Sequence, residues 1–204
     1  MSFVHAWKPG HPGKPTLLLF HGTGGTENDF LDFAAAAAPG WARLAPRGKV
    51  DENGASRFFR RLAEGVFDEE DLVFRTNELA DWLEEFAEEH NIDLSTAYGL
   101  GYSNGANIAG ALMLLRPNVM AGAVLLRPMK PLEPVPPPSL AGKHVLMLAG
   151  ARDRMIPAAS TDDMHRLLEN LGADVELITV DAGHELTRTD FSQAAAMLAG
   201  VESL

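Results

Sequence analysis

Three side chains far apart in this 204-residue sequence have the types needed for an activated nucleophile: Ser103, Asp153 and His184. A serine hydroxyl attacks a carbonyl only when a base takes its proton. An imidazole does this when an acid holds its tautomer and balances the charge it acquires. Ser103 lies in Gly101-Tyr102-Ser103-Asn104-Gly105, after a short, mostly apolar run at 96–100 and before Ile108, Leu112 and Leu115 at helical spacing. That pattern predicts a tight strand-to-helix turn. Its central residue takes strained backbone angles, and its glycines remove side chains that would collide with the returning backbone. The helix N-terminus beneath it directs free N–H groups toward developing negative charge.

Asp153 and His184 each follow a predicted strand, and the order serine, acid, histidine is one that neighbouring strand ends can bring together. Asp181 is the strongest rival acid. Asp162, Asp163 and Asp190 read as helix N-terminal residues, and Asp174 flanks a strand. His21 also ends a strand, but it opens the glycine loop His21-Gly22-Thr23-Gly24-Gly25 and is expected to order that loop. The backbone N–H groups of Thr23 and Asn104 are the expected donors to an oxyanion. A competing reading of Gly99-x-Gly101-x-x-x-Gly105 is a loose dinucleotide-binding loop, in which Arg127 at the next strand end would meet the extra phosphate of NADP.

These residues need strands to carry them. The run 16–20 is apolar throughout, as a central parallel strand must be, and 41–45, 121–126, 143–148 and 175–180 follow as further strands. A short edge strand at 3–7 is expected to form a hairpin with 16–20. Helices are expected from about 28 to 38 and from 69 to 90, where Leu79, Trp82, Leu83 and Phe86 mark an apolar stripe. Ser160 with Asp163, and Thr187 with Asp190, have the spacing of capping boxes for the last two helices. Between 46 and 70 the sequence predicts a long irregular connection whose segment Arg57-Phe58-Phe59-Arg60-Arg61-Leu62 lies over a pocket mouth or, with Phe67, caps the core. The proline-dense stretch 131–138 is expected to run extended over the surface. Alternating strands and helices imply an α/β fold: a mostly parallel sheet of about seven strands with helices on both faces, one domain over 1–204.

A net charge of -11 argues against nucleic acid and anionic membrane surfaces as partners and favours small molecules. Cysteine is absent, which excludes disulfides, thiolate metal sites and a cysteine nucleophile. No metal and no cofactor is expected. The N-terminal residues lack a basic start followed by an apolar run, and no segment has the ~20 apolar residues of a membrane span, so a cytoplasmic setting is expected. A homodimer is compatible with the chain.

On Phe20 to Asp29, Arg47-Gly48, Arg57 to Leu62, the Ser103 turn and the surroundings of Asp153 and Gly183-His184, the sequence resembles the α/β-hydrolase superfamily. Within it, the resemblance is to the small, lid-less carboxylesterase/phospholipase family, which includes acyl-protein thioesterase-like enzymes and bacterial hydroquinone-resistance hydrolases. The glycine loop and the Arg57 to Leu62 segment look closest to the hydroquinone-resistance branch. Tyr102-Ser103-Asn104 departs from the Gly-Phe-Ser-Gln-Gly turn usual in thioesterase-like members. The resemblance implies Ser103, Asp153 and His184 in the catalytic roles, Thr23 and Asn104 as oxyanion donors, and a small or aromatic ester as substrate. Phe58, Phe59, Arg127, Met129, Met155 and Ile156 flank predicted strand ends and are the expected pocket wall. A hydrolase-fold protein that only senses a ligand is the alternative, with an NADP-binding module behind it.

Overall fold

The computed structural model describes residues 2–201. In chain order its elements begin with β1 (His5–Lys8), β2 (Thr16–Phe20), α1 (Leu31–Ala37), β3 (Ala42–Pro46), β4 (Val50–Glu52), β5 (Ala55–Arg57), β6 (Arg61–Ala63) and β7 (Val66–Phe67). They continue with α2 (Glu69–His90), β8 (Tyr98–Tyr102), α3 (Asn104–Leu115), β9 (Gly122–Leu126), β10 (His144–Gly150), α4 (Ala158–Asn170), β11 (Asp174–Val180) and α5 (Arg188–Val201). Seven strands form one sheet in the order β1-β3-β2-β8-β9-β10-β11. β1 pairs antiparallel with β3, and every other neighbouring pair is parallel.

The two-residue side-chain period of a strand sends alternate leucines of β2 to opposite faces. Leu18 and Phe20 pack in one core with Leu79 and Leu83 of α2, Ile108 and Leu112 of α3, and Met164 and Leu168 of α4. Leu17 and Leu19 pack in the other with Ala34 of α1 and Ala194 and Leu198 of α5. Both faces of the central strands are therefore covered, which is why those strands read as unbroken apolar runs.

Strand order reverses between β2 and β8: the chain leaves β2 for β3 on one side and returns through β8 on the other. A crevice opens at such a point, beyond the carboxyl ends of the two strands. The glycine loop follows β2 there and the Ser103 turn follows β8. The turn is packed backbone on backbone. A Cβ at Gly101 would stand 2.4 Å from the Gly105 carbonyl oxygen, and a Cβ at Gly105 would stand 2.0 Å from that of Phe20.

Four sequence expectations are corrected. β1 pairs with β3 and not with β2, because β2 already has parallel partners on both sides and the half-exposed β1 suits an edge. The connection from 46 to 70 is not irregular throughout but contains two small hairpins, β4–β5 and β6–β7. The helix expected from 28 begins at Leu31, since Thr26 and Asp29 close a turn of their own through hydrogen bonds of 3.1 and 3.0 Å. Ser160 and Asp163 do not cap α4, which begins at Ala158 after Pro157; Ser160 Oγ instead accepts from Lys130 N–H, and Asp163 pairs with Arg166. No lid domain covers the strand ends among the described residues.

The glycine packing has a direct test. Gly105→Ala is expected to cost about 1–3 kcal/mol or more, because the atom it meets is backbone and cannot swing aside. Gly200→Ala in α5 meets nothing within 4 Å among the described residues and should stabilise by about 0.5–1 kcal/mol. Urea unfolding of the two variants beside the parent measures both.

Candidate active site

Ser103 has φ 53° and ψ −114°, a backbone conformation that few non-glycine residues adopt. Its N–H donates to the Leu126 carbonyl at 2.8 Å and its own carbonyl accepts from Asn107 N–H at 3.0 Å, so the turn is held by β9 on one side and by α3 on the other. Ser103 Oγ lies 3.0 Å from His184 Nε2, and His184 Nδ1 lies 2.8 Å from Asp153 Oδ2. A carboxylate only accepts, so Nδ1 carries the imidazole proton and Nε2 is left to accept from the serine hydroxyl. The Asp153 side chain is 2% exposed. Its other oxygen accepts the N–H groups of Met155 and Ile156 at 2.8 and 3.0 Å, which fixes the carboxylate plane. The rival Asp181 is exposed and pairs with the exposed Arg152, away from the imidazole.

Thr23 and Asn104 both border a cavity of about 220 Å³ that Ser103 and His184 also line. Neither backbone N–H has a protein partner among the described residues, whereas the next loop amide, Gly24 N–H, is tied to the Ser56 carbonyl at 2.9 Å. His21, 1% exposed, orders the loop from beneath. Its Nδ1 donates to the Gly22 carbonyl at 2.6 Å, and its Nε2 accepts Gly48 N–H at 3.0 Å. Burial is the largest influence on this imidazole and pulls it below its ordinary value of about 6.5.

Of the expected pocket wall, Met129, Met155 and Ile156 line the cavity. Phe58, Phe59 and Arg127 do not and are corrected. Phe58 stacks edge-on against Phe20 in the core, and Phe59, fully buried, packs on Phe67. The aromatic that reaches the cavity from this segment is Phe67, joined by the cations Arg57 and Arg61.

Arg127 has a different place. It is fully buried, holds φ 55°, and meets the fully buried Asp190 through two hydrogen bonds of 2.7 and 3.0 Å. Its remaining donors go to carbonyls: Nε to Gly183 at 3.1 Å and Nη2 to Glu185 at 3.0 Å, on either side of His184. Tyr102 Oη adds a hydrogen bond to the His184 carbonyl at 3.0 Å. The loop that carries the imidazole is thereby clamped from both flanks. With its donors so engaged, Arg127 is not free to meet a cofactor phosphate. Asp190 accepts Thr187 N–H as the capping pattern predicts and serves the clamp as well. Burial opposes its charge, but the Arg127 and Thr187 donors outweigh that and hold its carboxyl below the ordinary carboxylate range.

Asn107, and the side chain of Asn104 as distinct from its expected backbone donor, had no sequence signal beyond their helical spacing. Asn104 and Asn107 lie one turn apart on α3, and their side-chain oxygens accept Phe58 N–H at 2.7 Å and Met129 N–H at 2.8 Å. They fasten the two cavity walls to the helix that carries the serine turn.

This fold, with a strained serine at the switch point and an imidazole in reach, defines an α/β hydrolase. MhqD of Bacillus subtilis (strain 168), which carries a hydrolase name, is 43% identical over 178 residues, covering 87% of this chain and 89% of its own. The Bacillus cereus carboxylesterase structure superposes with a TM-score of 0.94 at 43% identity, over 98% of this chain and 94% of that one. The structure of YahD with malic acid gives 0.93 at 29% identity, over 98% and 100%. The chain belongs to the small carboxylesterase family of the α/β hydrolases, among esterase-type hydrolases. No protein-family model matches the sequence. No helix among the described residues is long and apolar enough to cross a membrane.

Two outcomes follow from the buried charges. Arg127→Met strands a buried carboxylate and should cost about 3–5 kcal/mol in urea unfolding, part of it recovered by adding Asp190→Leu. For His21, the unfolded chain takes up a proton near pH 6.5 that the folded chain resists, so this contribution is whole above that pH and is lost as pH falls below it. His21→Asn should be less stable throughout and should lack that part of the acid slope, read from unfolding curves at pH 7.5 and pH 5.5.

Proposed function

We propose that this protein is a serine hydrolase that cleaves carboxylic esters of small or aromatic substrates through an acyl-enzyme on Ser103. The observation that carries the reading is the pair of hydrogen bonds running from Ser103 Oγ to His184 Nε2 and from His184 Nδ1 to Asp153, on a turn already strained to present the serine.

In this mechanism Ser103 Oγ attacks the ester carbonyl carbon while its proton passes to His184 Nε2. The carbonyl oxygen becomes an oxyanion facing the N–H groups of Thr23 and Asn104, where each donor contributes on the order of 3 kcal/mol. Collapse expels the alcohol, which leaves with the proton from the imidazolium, and Ser103 keeps the acyl group as an ester. Water then repeats the sequence: His184 takes its proton, the hydroxyl adds to the acyl carbon, and the carboxylic acid departs as the proton returns to Ser103. Asp153 stays ionised and holds the imidazole. The cavity of about 220 Å³, walled by Tyr102, Phe67, Met129 and Ile156, suits a small or aromatic ester, and the malic acid named with YahD is likewise small.

Hydrolysis of p-nitrophenyl acetate and labelling by a fluorophosphonate test the reading. Ser103→Ala should lower kcat/KM on the order of 10⁴-fold or more and abolish the label. Turnover at the parent rate in that variant would refute it, and a parent protein that hydrolyses no ester and takes no label would point to a ligand sensor.

A further inference from the structure

The cavity wall next to the glycine loop is cationic, in a protein whose net charge is -11. Arg57 ends β5 and is 3% exposed, yet its side chain borders the cavity. Nη1 donates to Thr23 Oγ1 at 2.7 Å and Nε to the Phe59 carbonyl at 3.2 Å, while Nη2 has no hydrogen-bond partner among the described residues. The nearest carboxylate, Glu52, stands 3.7 Å from Arg57 Nη1. Its oxygens are taken by Arg61, in hydrogen bonds of 2.8 and 2.9 Å. Two guanidiniums thus share one carboxylate at the wall. Burial, and then the charge of Arg61, both press Arg57 toward giving up its proton, and Glu52 only partly opposes them. Glu64 also borders the cavity, but it is exposed and its field is screened by water.

A nearly buried cation with a free donor and half a counter-ion is costly unless something anionic completes it. We infer that the cavity takes esters carrying a carboxylate at the end remote from the scissile bond, with Arg57 as the residue that binds that carboxylate and Arg61 reinforcing it from the rim. The site is a carboxylate subsite beside the serine centre, and the substrate class is the monoester of a small dicarboxylic acid or the ester of an acid-bearing alcohol. One uncompensated positive charge at Arg57 matches one carboxylate there, whereas a phosphate brings up to two negative charges to that same point; the second carboxylate of a short dicarboxylate lies instead toward the expected oxyanion donors. The hydrogen bond to Thr23 Oγ1 puts the subsite next to the expected oxyanion donor, so a short acid with its two ends a few bonds apart spans both. Asn107, 4% exposed and bordering the same cavity, is a further polar group on the wall.

This inference deepens the esterase reading and rests on it for the word substrate, but the binding it asserts is measurable without turnover. Calorimetric titration of the Ser103→Ala protein with glutarate, glutaramide and inorganic phosphate reads the subsite directly. Glutarate should bind at least about tenfold more tightly than glutaramide, and more weakly as salt is raised, because a charged acceptor replaces a neutral one at a guanidinium. Adding Arg57→Gln should weaken glutarate at least about tenfold, and Arg61→Gln by less. If Arg57→Gln does not fold, the parent protein decides: the p-nitrophenyl monoester of glutaric acid should exceed p-nitrophenyl butyrate in kcat/KM by about tenfold at low salt, with the gap narrowing as salt rises. Equal binding of glutarate and glutaramide, tighter binding of phosphate, or glutarate affinity untouched by Arg57→Gln would overturn the inference. Loss of turnover on both esters with glutarate still bound would instead fault the esterase reading alone.

Discussion

Three stretches of backbone meet where β2, β8 and the start of α3 converge, and nothing larger than hydrogen fits between them. Gly105 lies on the carbonyls of Phe20 and His21, and Gly101 lies on Gly105. That contact lets α3 turn back immediately over the strand it follows, which in turn drives Ser103 to a positive φ and leaves the N–H of Asn104 at the open end of the helix. It also sets the glycine loop and the serine turn side by side at the reversal of strand order. Strain at one residue persists because hydrogen bonds to β9 and α3 over-determine it.

The histidine is held by a different force. Its loop has no regular structure of its own, and the fully buried Arg127–Asp190 pair substitutes for it, binding carbonyls on both sides of His184. A buried ion pair adds little net stability, since desolvation consumes most of the attraction. What it supplies here is a single geometry. The guanidinium has donors in a fixed plane, and only one placement of the loop meets them all. In the proposed mechanism this loss of freedom places the imidazole for proton transfer, which tolerates little misplacement.

Around that rigid centre the wall is assembled from segments that come from elsewhere in the chain. Asn104 and Asn107 draw the β5–β6 connection and the segment after β9 onto α3. The first of these brings Arg57 against Thr23, so the cationic wall and the loop expected to receive the oxyanion are parts of one hydrogen-bonded unit. A net-negative surface with a positive patch inside a cleft concentrates its attraction where the cleft opens.

The strands of the seven-stranded sheet and α2 were legible in the sequence, β2, β9 and β10 as apolar runs covered on both faces and 69–90 as a stripe at helical spacing, whereas β4 to β7 carried no such signal. The order Ser103, Asp153, His184 and the glycine loop were legible too, because strand ends in such a sheet share one edge wherever the strands lie in the chain. The sequence alone could not say which neighbour β1 would take, where α4 would start, or that Phe58 and Phe59 turn inward while Phe67 and Arg57 face the cavity. Nor could it show that Arg127 reaches 63 residues along the chain to Asp190 and so leaves the pocket wall. Pairing, burial and side-chain direction at those positions depend on contacts between segments distant in the chain. Local propensity and spacing carry no record of such contacts, and only the folded packing of one segment against another decides them.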